Sequence, residues 1–372
     1  MKVLVTSDLH LSNRIWKHRP IEGDSYCAWS QIQELAIARG CSAVIMAGDI
    51  LDKQTNQSEP VYQLLAGIKN LRDHDIAVYY NQGQHELQTT PWMSIESGAV
   101  HLSPDGAGVV SINGWRLAGC DYRDEAGLQQ FLKSEAALSA DILICHQVWK
   151  DLMGNIGNPQ GEFSDVPENV KLLITGDYHE SVCRKFGNLS VISPGSTHLR
   201  SISEPVDKYV YLLDLPEKGP LKSKRSPLLT RRRIDISLVK DALSPAVKLL
   251  EAQLSLAYAY NKAAGFTKDV AKPLVWLTHD PEDHKGVAQV TKAVNENAHI
   301  FFKPVKHKLE DAPQLLDYVD VEDRLQMIHC LDSAVDKKEK PLIYGLATAL
   351  LAGGEPEQVL QKWIKEQTNE GS

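Results

Sequence analysis

Five short apolar runs in the first half of the chain each stop at residues able to bind a metal ion or move a proton. "KVLVTS" runs into Asp8 and His10, and "SAVIMAG" into Asp49. "IAVYYNQG" runs into Gln84, His85 and Glu86, "DILIC" into His146, and "KLLITG" into Asp177 and His179. Apolar runs of this length, alternating with helix-like stretches at Tyr26–Arg39, Glu59–Asp73 and Glu125–Ala140, predict an α/β domain of two sheets with helices outside. In such a fold, chemistry gathers in the crevice beyond the carboxyl ends of the strands. The polar endings are therefore expected to share one site.

Each ending alone says little. Gly-Asp after a strand is common, and a lone histidine such as His146 is more often structural than a ligand. The conjunction of all five carries the weight. Residues i and i+2 of an extended segment face the same side, so each Asp-x-His is expected to offer two ligands to one centre. Glycine before Asp49, Gln84 and Asp177 allows the tight turn that lifts a ligand clear of its strand. Carboxylates, imidazoles and one amide suit Mn²⁺, Fe²⁺ or Zn²⁺ better than Ca²⁺.

With 372 residues, 43% of them hydrophobic, the chain is long enough for more than one core. "PEKGPLKSKRSP" (216–227) reads as a boundary, after which "KPLVWLTHD", "DHKGVAQVTKAVNEN" and "AHIFFKPV" give a β-α-β pattern. Three regions are expected: a main domain over 1–235, a smaller α/β domain over 236–310 and C-terminal helices over 311–372. Apolar runs fall short of a membrane span and the start resembles no signal peptide, so a cytoplasmic, non-membrane protein is expected. Six scattered cysteines without a CxxC pair argue for reduced thiols rather than a disulfide framework or zinc ribbon. The net charge of −8 does not suggest a generic nucleic-acid binder. The basic run "KSKRSPLLTRRR" (222–233) reads equally as a solvated linker or as a strip that meets DNA.

The order D-x-H, G-D, "GQHE", an isolated histidine and "GDYH" resembles the calcineurin-like metallophosphoesterase superfamily over residues 7–179. The continuation "VISPGSTHLRSISEP", "KYVYLLDL" and "SPLLTRRRIDI" is similar to the SbcD-type DNA double-strand-break repair nuclease subunits. The resemblance implies a metallophosphoesterase β-sandwich flanked by helices, a capping domain over 236–310 and a helical partner-binding region. It implies two divalent metal ions, Mn²⁺ preferred and Mg²⁺ possible. One would be held by Asp8, His10, Asp49 and His179, the other by Asp49, Gln84, His146 and Asp177. His85 would not ligate; it would face the scissile phosphate as a catalytic acid. Lys53, His198 and Arg200 are weaker candidates for DNA contacts.

The same resemblance implies a DNA exonuclease and endonuclease of repair, recombination or replication. It would work as a homodimer within a heterotetramer with an SMC-like coiled-coil ATPase. Its setting would be the nucleoid, or the host cytoplasm for a phage-encoded chain. The helix expected at "EPEQVLQKWIKEQ", with Val359, Leu360, Trp363 and Ile364, offers a docking face, although such stripes more often pack on their own domain. Two positions depart from the family pattern. Gln84 stands where asparagine is usual, and Asp177 where histidine is usual. A third carboxylate favours oxygen-loving Mn²⁺ or Mg²⁺ over Zn²⁺. Two other readings remain open: a phosphoesterase of small or protein substrates, and a weakly active DNA-end scaffold.

Overall fold

Side chains of a strand alternate between its two faces, and in the two large sheets both faces meet a core. The computed structural model describes residues 1–305 apart from 13–22, 55–57, 96, 104–105, 107, 155–157, 218, 239–242, 264–271, 281–282 and 295–296. The first sheet runs, in spatial order, β12 (Lys222–Leu228), β11 (Lys208–Asp214), β1 (Lys2–Thr6), β2 (Ala43–Ala47), β3 (Ala77–Asn81) and β4 (Val100–His101). The second runs β5 (Val109–Ile112), β6 (Trp115–Cys120), β7 (Ile142–His146), β8 (Leu172–Gly176), β10 (Leu189–Ser193) and β9 (Val182–Phe186). Val3, Val5 and Ile45 of the first sheet meet Ile142, Ile144 and Ile174 of the second in a shared core. Leu4, Val44 and Met46 point the other way, against Trp29, Ile32, Leu64 and Ile68 of helices α1 (Asp24–Ala38) and α2 (Ser58–Asp73). Burial on both faces is why these strands are apolar through their centres.

Over the outer face of the second sheet lie α3 (Glu125–Leu132), α4 (Glu135–Ser139) and α5 (Lys150–Met153). The single helix expected over 125–140 is two helices. Ser134 caps α4 by accepting from the Ala137 amide, as Asp124 caps α3 from Gly127, so the chain restarts instead of continuing. β1, β2, β3 and β4 are mutually parallel, as are β6, β7, β8 and β10. β1, β2, β3, β7 and β8 therefore release their polar endings at the carboxyl ends of parallel strands.

The second half of the stretch read as a boundary belongs to a strand. β12 pairs antiparallel with β11 from Lys222↔Asp214 to Lys208↔Leu228. Its lysines and Pro227 mimic a linker because this is an edge strand, where such residues discourage further pairing. Beyond it, β13 (Arg233–Ser237), β14 (Leu274–His279) and β15 (His299–Pro304) form a parallel three-stranded sheet. It packs on α6 (Leu243–Ala263) and α7 (His284–Val294) through Leu250, Leu254, Val275, Leu277 and Val290. Arg231, 1% exposed, clamps the Asp24 carboxylate at 2.9 and 2.7 Å and donates to the Lys272 carbonyl at 2.6 Å. Residues Met1–Val305 make one compact unit. The helices expected over 311–372, with Val359, Leu360, Trp363 and Ile364, lie outside the described residues.

Candidate metal centre

The strands end before their polar residues do. β1 stops at Thr6, and Asp8 and His10 have φ of 49° and 42°; Asp49 has 48° and Asp177 has 69°. The left-handed region is uncommon for residues with a side chain and stores strain. The expectation of an extended Asp-x-His is thus corrected: left-handed turns, not strand alternation, set these side chains. The loops after β1 and β2 are bonded to each other through Asp8 N to Gly48 O (3.0 Å) and His10 N to Asp49 O (2.9 Å).

Glycine serves here chiefly by making room. Gly48 is itself left-handed (φ 75°), and a Cβ there would lie 2.4 Å from the His146 ring. A Cβ on Gly83 would lie 2.1 Å from Asp49 Oδ1, and one on Gly176 would lie 2.3 Å from His146 Nδ1. Neither of these two needs a glycine backbone; each needs the absence of a side chain.

The structure brings together all eight residues that the sequence pointed to. His146 Nε2 lies 3.3 Å from Asp49 Oδ2, 3.9 Å from Asp8 Oδ1 and 3.8 Å from Asp177 Oδ1. His10 Nε2 lies 3.6 Å from Asp49 Oδ2 and 4.0 Å from Asp8 Oδ1. His179 Nε2 is 3.8 Å from Asp8 Oδ1, and His85 Nε2 is 3.8 Å from Asp49 Oδ2. Gln84 donates its amide to Asp177 Oδ1.

Several of these atoms are buried and have no hydrogen-bond partner: Asp8 Oδ2, both ring nitrogens of His10, Asp49 Oδ2, Gln84 Oε1 and His146 Nε2. Polar atoms do not normally stay unpaired out of water. Their inward convergence fits a cationic group that would complete them. Two trios within this set meet metal-holding spacing, Asp8, His10 and His179, and Asp8, Asp49 and His146; a third joins His10 and His85 to Asp52.

Neighbouring groups fix the orientation of the rings. His146 Nδ1 bonds the Ala47 carbonyl at 2.7 Å, so its N–H points outward and Nε2 faces the cluster. His179 Nδ1 bonds Glu204 Oε1 at 2.9 Å, and His85 Nδ1 bonds the Asp52 carbonyl at 2.8 Å. Burial works against a charged His146 ring, but Asp49, Asp8 and Asp177 outweigh it and raise its pKa well above the ordinary value. Burial lifts Asp8 despite His146 and His179. It also opposes ionisation of Asp49, yet His146 and His85 prevail and lower its pKa. Burial, assisted by the positive Arg200, keeps His10 neutral. A cluster that pulls a proton onto His146 in the absence of other cations is one that a metal can occupy in the proton's place.

Glu204 had no role in the sequence reading. It accepts from Ser196 (3.1 Å) and from buried Lys208 (2.6 Å) as well as holding His179. Although burial opposes its charge, His179 and Lys208 bring its pKa down to about 2. Its only sequence signal was the "PGS…E" continuation. Asp52, which follows Asp49 in "GDILD", also borders the cluster, held by Arg200 Nη1 at 2.7 Å and 3.6 Å from His10 Nδ1. Glu86, buried beside Asp49, accepts from the Gly83 amide at 2.8 Å; burial and then Asp49 raise its pKa to about 8.

Of the candidate DNA contacts, Lys53 is exposed and Arg200 is engaged with Asp52. His198 is only 2% exposed, with Nδ1 3.3 Å from Thr197 Oγ1, so it is corrected from a backbone contact to an internal residue of the "SPGST" loop.

The family model for calcineurin-like phosphoesterase matches residues 1–181. Among curated proteins, the chain is similar to the DNA double-strand break repair protein Mre11 of Methanosarcina mazei, 25% identical over 65% of this chain and 40% of that protein. It is also similar to that of Sulfolobus acidocaldarius, 24% identical over 48% of this chain and 50% of that protein. The matched stretch thus spans half or less of those relatives' length. Among solved structures, a dimetal phosphatase from Danio rerio shares 11% identity over 60% of this chain and 95% of that chain, with a TM-score of 0.42, too slight a likeness to bear on activity. Among the described residues no helix is long and apolar enough to cross a membrane.

Proposed function

We propose, on the premise that residues 1–181 form a calcineurin-like phosphoesterase domain, that this chain is a metal-dependent nuclease hydrolysing DNA phosphodiesters. It would act on ends, single strands or hairpins, as the nuclease subunit beside an SMC-like coiled-coil ATPase. The proposed layout is a nuclease domain over 1–235, a capping domain over 236–310 and a partner-binding region over 311–372, in a homodimer. The observation that carries the hydrolytic part is the set of buried, inward-facing and unpartnered donor atoms from four strand ends, joined by His179 from a fifth. Support for DNA comes from the name of the curated relatives, DNA double-strand break repair protein.

Asp8, His10, Asp49 and His179 would hold one cation, and Asp49, Gln84, His146 and Asp177 the other. Two such cations, when bound, supply Lewis acidity that neutralises a phosphodiester and readies water for attack near neutral pH. The chain's own residues do the rest. Asp49 sits between His10, His85 and His146, where one carboxylate can serve both halves of the cluster. Ala47 and Glu204 lock the two outer imidazoles with Nε2 inward. Gln84 keeps a free oxygen while its amide restrains Asp177. Three carboxylates among the donors favour Mn²⁺.

His85 also falls in a possible metal trio with His10 and Asp52. One contact favours the acid role: Arg200 already neutralises Asp52. The His85 ring, 37% exposed, then presents Nε2 at the rim, where it can pass a proton to a departing oxygen.

One assay tests the reading: labelled linear duplex and single strands with Mn²⁺ or Mg²⁺, beside a chromogenic phosphodiester. Metal-dependent DNA cleavage is expected. Cleavage of the small ester alone would make the chain a small-substrate phosphoesterase, and DNA binding without turnover would make it a scaffold.

A further inference from the structure

β9 (VCRKF) and β12 (KSKRSPL) carry Arg184, Lys185, Lys222, Lys224 and Arg225 and no carboxylate, on a chain of net charge −8. All five cations are exposed. Among the described residues, Arg184, Lys185, Lys222 and Lys224 meet no acid at ion-pair distance, whereas Lys69, Arg116, Lys150 and Lys171 elsewhere on the surface do. Each strand is the edge of a different sheet, and the two edges come together. Cys183 Sγ lies 3.7 Å from Ser223 Oγ, and the Ser181 and Tyr211 hydroxyls are 3.1 Å apart.

Between these edges lies a cavity of about 490 Å³ lined by Arg184, Ser223 and Arg225. A second cavity, of about 180 Å³, is lined by His179, Lys208 and Tyr209. Both are also lined by Ser181 and Arg225, so they adjoin as a groove that runs over the basic edges and whose inner end is lined by His179 of the cluster. Glu180 and Asp207 line its inner end, and Glu180 is held by the Tyr178 hydroxyl at 3.1 Å. Lys222 and Lys224 alternate to the other face of β12, on either side of the lining residue Ser223, and add their charge to this edge.

Lysine and proline on an edge ordinarily discourage edge-to-edge pairing. That role does not require cations of two different sheets to share one groove, nor the groove to open at His179. We infer that this groove carries the sugar–phosphate backbone of a nucleic-acid strand between the metal cluster and the outside. The cations of β9 and β12 neutralise its phosphates. The inference rests on the reading of the chain as a nuclease and adds the path of the substrate.

The test is binding of labelled single-stranded and duplex oligonucleotides to the full chain in EDTA, by fluorescence anisotropy across a salt series. The parent is compared with the variant carrying Arg184→Gln, Lys185→Gln, Lys222→Gln and Lys224→Gln. Single-strand affinity should fall at least ~10-fold, and the slope of log K against log salt should shrink by about 2–3, given roughly 0.7 per phosphate contact. Hydrolysis of a small chromogenic diester with Mn²⁺ should stay unchanged. The Arg184→Gln, Lys185→Gln pair and the Lys222→Gln, Lys224→Gln pair, tested separately, should each carry part of the slope, which keeps the test open if the quadruple variant does not fold. Equal affinity and slope in parent and variants would overturn the inference alone, leaving edge protection as the role of these residues. So would loss of poly-glutamate binding with DNA binding kept, which would assign the groove to an acidic protein. A parent that hydrolyses the diester but binds neither form of DNA would overturn the nuclease reading and the groove with it.

Discussion

The metal cluster and the end of β14 look alike in sequence and differ completely in structure. "LVWLTHD" is an apolar run ending in His279 and Asp280, just as "KLLITG" ends in Asp177 and His179. His279 Nδ1, however, bonds the carbonyl of the next residue at 2.8 Å, and its ring packs edge-on against Phe302 at 6.1 Å. In the cluster, by contrast, Asp8 and Asp177 point inward from left-handed turns, and donor atoms are left unpaired. β14 has one parallel neighbour on each side and an apolar core beneath. The two large sheets bring five strand ends to one place. Convergence, rather than the local motif, distinguishes a site from a satisfied histidine.

The widest separation between the two regions comes from one substitution in each. Asp49→Ala should reduce metal-dependent phosphodiester hydrolysis to background and weaken Mn²⁺ binding measured by calorimetry, because the shared carboxylate is gone. His279→Ala should leave both unchanged. Full Mn²⁺-dependent turnover by Asp49→Ala would erase the distinction. His85→Ala sharpens it from within: turnover should fall by about 10²–10⁴ while Mn²⁺ affinity is kept. A parallel fall in affinity would move His85 into the ligand set.

Glu204→Ala comes next. His179 loses the group that orients it and Lys208 is left buried without its partner, so Mn²⁺ affinity should drop about 10–100-fold. Unaltered affinity beside a lowered melting temperature would make Glu204 merely structural. Gly48→Ala should cost roughly 1–3 kcal/mol in denaturant unfolding, because a left-handed alanine also meets the His146 ring. The smallest effect is one of selectivity. Asp177→His removes the third carboxylate and should shift relative affinity from Mn²⁺ towards Zn²⁺. An unchanged ratio would discard the charge argument for Mn²⁺.

How much of this the residues disclose in advance depends on how many faces of a segment are buried. β1, β2, β3, β7 and β8 are apolar through their centres because both faces are covered, and their polar endings stand out against that background. β9 and β12 are edges with exposed lysines and arginines, so one passed unnoticed and the other resembled a linker. The left-handed turns at Asp8, His10, Asp49 and Asp177 had no local signal, since aspartate and histidine also occupy extended backbone. Glu204 reaches His179 across 25 positions, a contact that no spacing rule anticipates. His198 sits in a polar stretch that reads as surface, yet the loop folds inward and buries it.

Calorimetric titration of the apo protein with Mn²⁺, repeated on Asp49→Ala and His146→Ala, bears most directly on the cluster. Two ions per parent chain are expected, with at least one lost in each variant. Parent and variants taking up the same number of ions with the same affinity would contradict a caged pair of cations at these strand ends.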